Sequence, residues 1–202
     1  MQRIYHITIS HPRYDGRIFK RLCIPLAEAG LKINLIVSDG KGNEIKNKVK
    51  IYNIGYKKNK LINFYFFQIK ILKFFLKNKS ILHIHDPILL PIGTLIKLLG
   101  NKVVFDMHEN LDIQLKLKNW IKTNLMKNLV SFTYRKFENI FLSSITGITV
   151  PQPIMVQMYK SQNKNIISVA NYYMKTTKFE NKLILKKKNY KNLIYSGSVS
   201  KA

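Results

Sequence analysis

The chain has 202 residues, 46% of them apolar, which is enough for one domain with a real core and too apolar for a disordered protein. Its formal charge of +25, from 35 Lys and Arg against 10 Asp and Glu, has two readings: attraction to nucleic acid or an anionic membrane surface, or A+T-rich codons that favour Lys, Asn and Ile. One cysteine excludes an intramolecular disulfide, lysines break every apolar run short of the roughly 18 residues of a membrane span, and no secretory signal is visible, so the chain reads as a soluble or peripheral cytoplasmic protein.

The apolar, β-branched run over residues 4–9 predicts a first strand. It ends in a polar loop of His11, Pro12, Arg13, Asp15 and Gly16, and a helical pattern begins near Arg17. Neither GxGxxG nor the P-loop pattern occurs there, so a dinucleotide pyrophosphate is not expected. Of five arginines, Arg3, Arg13, Arg17 and Arg21 fall in the first 21 residues, which points to anion handling by this loop and helix. Ile18, Leu22, Leu26 and Ala29 recur at helical spacing, Gly30 is the stop, and Pro25 predicts a kink near Arg21. Cys23, between Leu22 and Ile24, reads as a small buried side chain.

Residues 31–37 predict a second strand, 38–47 a loop and 49–54 a third strand. Asp39 stands where a ribose-binding acid would, but without the upstream glycines. Residues 61–76 predict a strongly apolar helix with Asn63, Lys70, Lys73 and Lys77 on one polar strip, packed on the sheet rather than lying on a membrane. Residues 80–85 follow as a fourth strand, 88–99 as a helix stopped by Gly100, and 102–107 as a fifth strand. A basic loop over 111–119, a long helix over 120–142, a strand over 147–150, a helix over 151–159 and a strand over 166–170 complete the pattern. The β-α alternation predicts a doubly wound parallel sheet. Residues 171–190 read as a lysine-rich linker and 191–202 as the start of another strand-loop-helix unit.

In the order 3-2-1-4-5 the first, fourth and fifth strands are neighbours, so their loops share one cleft. His11 and Asp15, His83, His85 and Asp86, and Asp106, His108 and Glu109 sit at those strand ends. His6 and His83 read as structural, with His83 inside the sheet layer. Two chemistries suit the rest. A metal hydrolase would use His83, His85, Asp86, Asp106 and His108 as ligands. A transferase would use the cleft to place an acceptor hydroxyl and hold a sugar. A basic module for anionic lipid or nucleic acid, without catalysis, rests on charge alone; no recognised nucleic-acid motif is present and nucleic acid is not expected as a partner.

His11-Pro-Arg-Tyr-Asp-Gly-Arg-Ile-Phe-Lys20 with Leu26-Ala-Glu-Ala-Gly30, His85-Asp-Pro-Ile-Leu-Leu-Pro91, Val103-Val-Phe-Asp-Met-His-Glu109 and Gly147-Ile-Thr-Val150 together resemble the amino-terminal domain of GT-B glycosyltransferases of the family-4 type. The resemblance implies two Rossmann-like domains facing a cleft, with residues 1–170 as the acceptor side and a nucleotide-sugar co-substrate held mainly by the second domain. It implies no metal or other cofactor, a sugar or lipid-linked acceptor, and a place in cell-surface polysaccharide or glycolipid synthesis on the inner face of the cell membrane. By the same resemblance Gly16 lets backbone approach the donor phosphates, and Tyr195-Ser-Gly-Ser-Val-Ser-Lys201 places Gly197, Ser198 and Lys201 near the donor diphosphate. His108 matches the histidine that contacts the transferred sugar, while His11, Asp15, Arg17, His85, Asp86 and Glu109 match motif positions around the cleft. The family's donor-binding Arg/Lys pair and paired glutamates lie beyond Ala202, so the chain is expected to be a truncated enzyme that does not turn over alone.

Overall fold

The computed structural model describes residues 3–76, 79–116 and 123–170. The linker, the expected start of a second domain, and Gly197, Ser198 and Lys201 lie outside the described residues. The elements are β1 (Ile4–Ile7), a π-helix (Gly16–Cys23) running into α1 (Ile24–Glu28), β2 (Ile33–Val37), β3 (Glu44–Lys46), β4 (Val49–Asn53), α2 (Lys60–Phe75), β5 (Ile81–Ile84), a 3₁₀ turn (Pro87–Leu89) into α3 (Leu90–Leu98), β6 (Lys102–Asp106), α4 (Leu111–Lys116), α5 (Asn124–Ser144), β7 (Gly147–Val150), α6 (Pro153–Tyr159) and β8 (Ile166–Ser168).

The sheet runs β3-β4-β2-β1-β5-β6-β7-β8, parallel except for the β3–β4 pair. The winding reverses between β1 and β5, so the loops after β1, β5 and β6 meet at one carboxyl edge, as the alternation predicted. Helices lie on both faces, and the fold is an α/β doubly wound sheet. Successive residues of a strand face opposite sides. Tyr5, Ile7, Leu82, Ile84, Val103, Phe105, Ile148 and Val150 therefore pack in one core with Phe67, Ile71 and Phe75 of α2, Ile92 and Ile96 of α3, and Leu142 of α5. On the other side Ile18, Phe19, Cys23 and Ala27 cover Ile33, Leu35, Val37, Val49 and Ile51.

The helix after the first loop is irregular in a way that Pro25 alone did not predict. Asp15 caps it, its Oδ1 accepting from the Arg17 and Ile18 amides at 2.8 Å each. The Asp15 carbonyl accepts from both Phe19 and Lys20, and the wider winding persists to Cys23. Pro25 then falls at the junction where the π-helix gives way to α1, so its missing N–H coincides with the change of hydrogen-bonding pattern. The proline thus marks the change of winding rather than a kink near Arg21.

Two expected loops carry structure. β3 forms a hairpin with β4 through Asn47 and Lys48, at φ 50° and 62°, a two-residue turn with both central residues left-handed. The basic loop expected over 111–119 begins with α4, whose Ile113 amide is held by Asn110 Oδ1 at 3.2 Å. Asn63, placed on the polar strip of α2, is buried instead, its Oδ1 accepting from the Lys57 amide at 2.7 Å.

β7 and β8 approach closely at Gly147. A β-carbon there would stand 2.9 Å from the Asn165 carbonyl oxygen, a backbone atom that the Ile148 amide already holds at 2.9 Å. Gly147→Ala should therefore lower stability by about 1–3 kcal/mol, read as an earlier urea midpoint with an unchanged slope.

Candidate functional site

All five histidines of the chain converge on the carboxyl half of β1, β5 and β6. The register pairs His6 with His83 across β1 and β5, and strand alternation sets His85 on the same face. His6 Nδ1 lies 3.0 Å from His85 Nε2, and His85 Nδ1 lies 3.2 Å from Asp106 Oδ2 and 3.3 Å from His108 Nε2. His83 Nε2 is 3.3 Å from Thr149 Oγ1, which donates to Asp106 Oδ1 at 2.7 Å. His11 stacks obliquely on His108, ring centres 4.7 Å apart.

Asp106 is the hub and is fully buried. Arg17 reaches it from the π-helix with both prongs of its fork, Nε to Oδ2 at 2.8 Å and Nη2 to Oδ1 at 2.6 Å. Burial alone would push this carboxyl up, but hydrogen bonds from Arg17, His108 and His85 hold it far below the ordinary carboxylate range. The opposite holds for the imidazoles beneath it. Desolvation lowers His6 well below its ordinary value, lowers His85, and brings His83 to about 3, so these three are neutral.

Asp86 closes the first loop. Its Oδ2 accepts from Thr8 Oγ1 at 2.9 Å and from the Ile9 amide at 2.7 Å, while Oδ1 stands 3.2 Å from His11 Nδ1. Burial raises this carboxyl, and the His11 and Ile9 hydrogen bonds outweigh it and lower it. His11 is raised in return, chiefly by that bond to Asp86. A raised imidazole gives stability that is complete below its unfolded value of about 6.5 and is lost as pH rises through the higher folded value. Asp86→Asn should therefore move the His11 NMR titration downward and flatten that alkaline loss of stability.

These loops line a cavity of about 240 Å³. His11, His85, Asp86, His108 and Glu109 form its polar side, and Phe105, Met107, Leu111 and Tyr134 its apolar side. Asp15 spends its carboxylate on the helix cap. Arg17 is turned inward to Asp106, and Arg13 is buried, holding Asp39 through Nε and Nη2 at 2.8 and 2.7 Å and Glu44 through Nη1 at 2.6 Å. Both therefore serve carboxylates of the chain itself, which corrects the expectation that they grip an external anion. Asp39, the considered ribose acid, is that partner of Arg13. Gly16 is exposed, and a β-carbon there would meet open space. Thr8, Thr149, Tyr134 and His6 also belong to the site, beyond the residues expected there. Thr8 and His6 had a signal: both alternate onto the face of His83 and His85.

Two triads bring three ligand atoms within 4.8 Å of one another, His6–His83–His85 and His85–Asp106–His108. In the second the edges are 3.2, 3.2 and 3.3 Å, the spacing of ligands around tetrahedral zinc at about 2.0–2.1 Å. Tautomers assigned from the hydrogen-bond network weigh against an ion. If His85 Nδ1–H donates to Asp106, bare Nε2 accepts from His6 Nδ1–H, and only an acceptor, His6 Nε2, is left buried without a partner. A metal on His85 Nδ1 would reverse that chain and strand an N–H at His6 Nε2, the rarer and worse defect. Arg17 would also face the ion across the same carboxylate. The triad fits a hydrogen-bonded unit better than a metal centre.

No protein-family model matches the chain, and no curated protein matches it.

Proposed function

We propose that this domain is the acceptor-binding half of a glycosyltransferase, which moves a sugar from a nucleotide-sugar to a hydroxyl acceptor. The observation that carries the reading is the convergence of His11, His108 and Glu109 on one cavity at the switch point of the sheet, opposite an apolar wall of Phe105, Met107 and Leu111. A pyranose ring has the matching character, with hydroxyls around its rim and an apolar C–H face. The motif resemblance adds that His108 meets the sugar being moved. Asp86 and Asp106 hold the loops and imidazoles in place, since hydrogen bonds within the chain occupy their carboxylates. Glu109 is exposed on the rim, where it can accept from an acceptor hydroxyl.

Saturation-transfer NMR of the full chain with a panel of simple glycosides tests this. Binding of at least one glycoside, weakened by His11→Ala and Glu109→Gln, is the expected result. Absence of glycoside binding, together with a hydrolase activity that a chelator and His85→Ala both abolish, would replace the transferase with the metal-dependent alternative.

A further inference from the structure

Helices α2, α3 and α5 lie side by side on one face of the sheet. Lys97 Nζ of α3 donates to the Ser144 carbonyl of α5 at 2.6 Å, and Gln68 of α2 donates to the Ile88 carbonyl just before α3 at 3.0 Å. α2 and α3 bury an apolar stripe, and α5 packs Phe137, Phe141 and Leu142 against the same core, yet each helix also turns large apolar side chains outward. Leu61, Tyr65 and Ile69 follow one another by four along α2, Leu98 projects from α3, and Leu129 and Phe132 project from α5; Leu98 is 78% exposed and Leu61 71%. A helix that packs on a sheet ordinarily has a polar outer face, and large apolar side chains turned outward on three neighbouring helices mark an interface.

We propose that the outer surface of α2, α3 and α5 docks on an anionic lipid bilayer. Charge selects this occupant. α2 and α3 contain no Asp or Glu, and the single acid of α5, Glu138, is buried. Exposed cations accompany the apolar side chains: Lys70 and Lys73 lie to one side of the Leu61–Tyr65–Ile69 row on α2, and Lys136 lies over the Phe132 ring with its ammonium 5.5 Å from the ring centre. A second copy of the same face would bring lysine against lysine with no carboxylate between them. A bilayer rich in acidic headgroups offers apolar depth to the leucines and negative charge to the lysines together. No described helix is long and apolar enough to cross a membrane, so these helices lie along the surface. The inference stands on this face alone and does not depend on sugar transfer.

The test is flotation of the full chain with phosphatidylcholine vesicles, with and without phosphatidylglycerol. The wild-type chain should float with the acidic vesicles only, and less as salt rises. The double variant Ile69→Glu/Phe132→Glu, changed only at exposed positions, should keep its circular dichroism and melting temperature while its partition coefficient falls by about tenfold or more. Ile45→Glu/Ile167→Glu, on β3 and β8 and 71% and 61% exposed in the wild-type chain, adds the same two charges away from this face and should float as wild type. Lys70→Glu/Lys73→Glu should abolish the preference for acidic vesicles. The proposal is overturned if the wild type ignores vesicles, floats equally with neutral ones, or loses binding equally in the Ile45/Ile167 variant. It is likewise overturned if the wild type forms a dimer in solution that Ile69→Glu/Phe132→Glu dissociates while vesicles go unbound.

Discussion

Arg17→Met should be the most damaging single substitution in this domain, lowering stability by about 3–5 kcal/mol, because it leaves the Asp106 carboxylate buried with its main cationic partner gone. For a domain of this size that is a fall in melting temperature on the order of 10 °C. Arg17→Lys should recover little, since an ammonium cannot supply the parallel bonds that Nε and Nη2 make to the two carboxylate oxygens. The deficit should depend on pH with a definite sign. A carboxyl held low in the folded state adds stability that is complete above its unfolded value of about 3.9 and is lost as pH falls toward the folded value. The wild-type advantage over Arg17→Met should therefore be largest near neutrality and shrink in acid, as calorimetry from pH 7 to pH 3 would show. A gap that stays constant or widens in acid would mean that Arg17 acts by packing rather than by charge.

The second large effect is on catalysis and rests on the proposed sugar transfer. In the assembled enzyme, with donor and acceptor both bound, His108→Ala should lower kcat on the order of 10²–10³-fold and change KM much less, because a contact to the reacting sugar counts most in the transition state. Asp86→Asn should differ in kind. That carboxylate is committed to Thr8, Ile9 and His11, so its loss disturbs the acceptor loop and should raise KM for acceptor while kcat moves little. Equal losses of kcat in both variants would remove the distinction between a group that meets the sugar and one that positions its neighbours.

The strands β1, β2, β4, β5, β6, β7 and β8 could be read from β-branched runs ending in polar or glycine-containing stretches, and their alternation with helices was enough for the sheet order around β1, β5 and β6. β3 escaped because Glu-Ile-Lys is too short to show a period, and its turn uses Asn47-Lys48 in place of the usual Asn-Gly. α4 escaped because Leu111, Ile113 and Leu115 are spaced by two, which hides a helix set by its Asn110 cap and by packing on α5, where Ser131 donates to Asp112. In the cleft, residue types at strand ends were legible, but their pairing was not. Arg13 and Arg17 looked like anion readers, and only the three-dimensional neighbourhood shows Asp39, Glu44 and Asp106 already seated in their forks.

Because every imidazole of the chain belongs to one connected cluster, proton exchange by histidine near neutral pH is confined to a single spot on the molecule. The protein therefore divides two responses between two places. Acidification or alkalinisation of its surroundings alters the protonation of the recess around His11, whereas the outer cationic surface answers to ionic strength, which screens it.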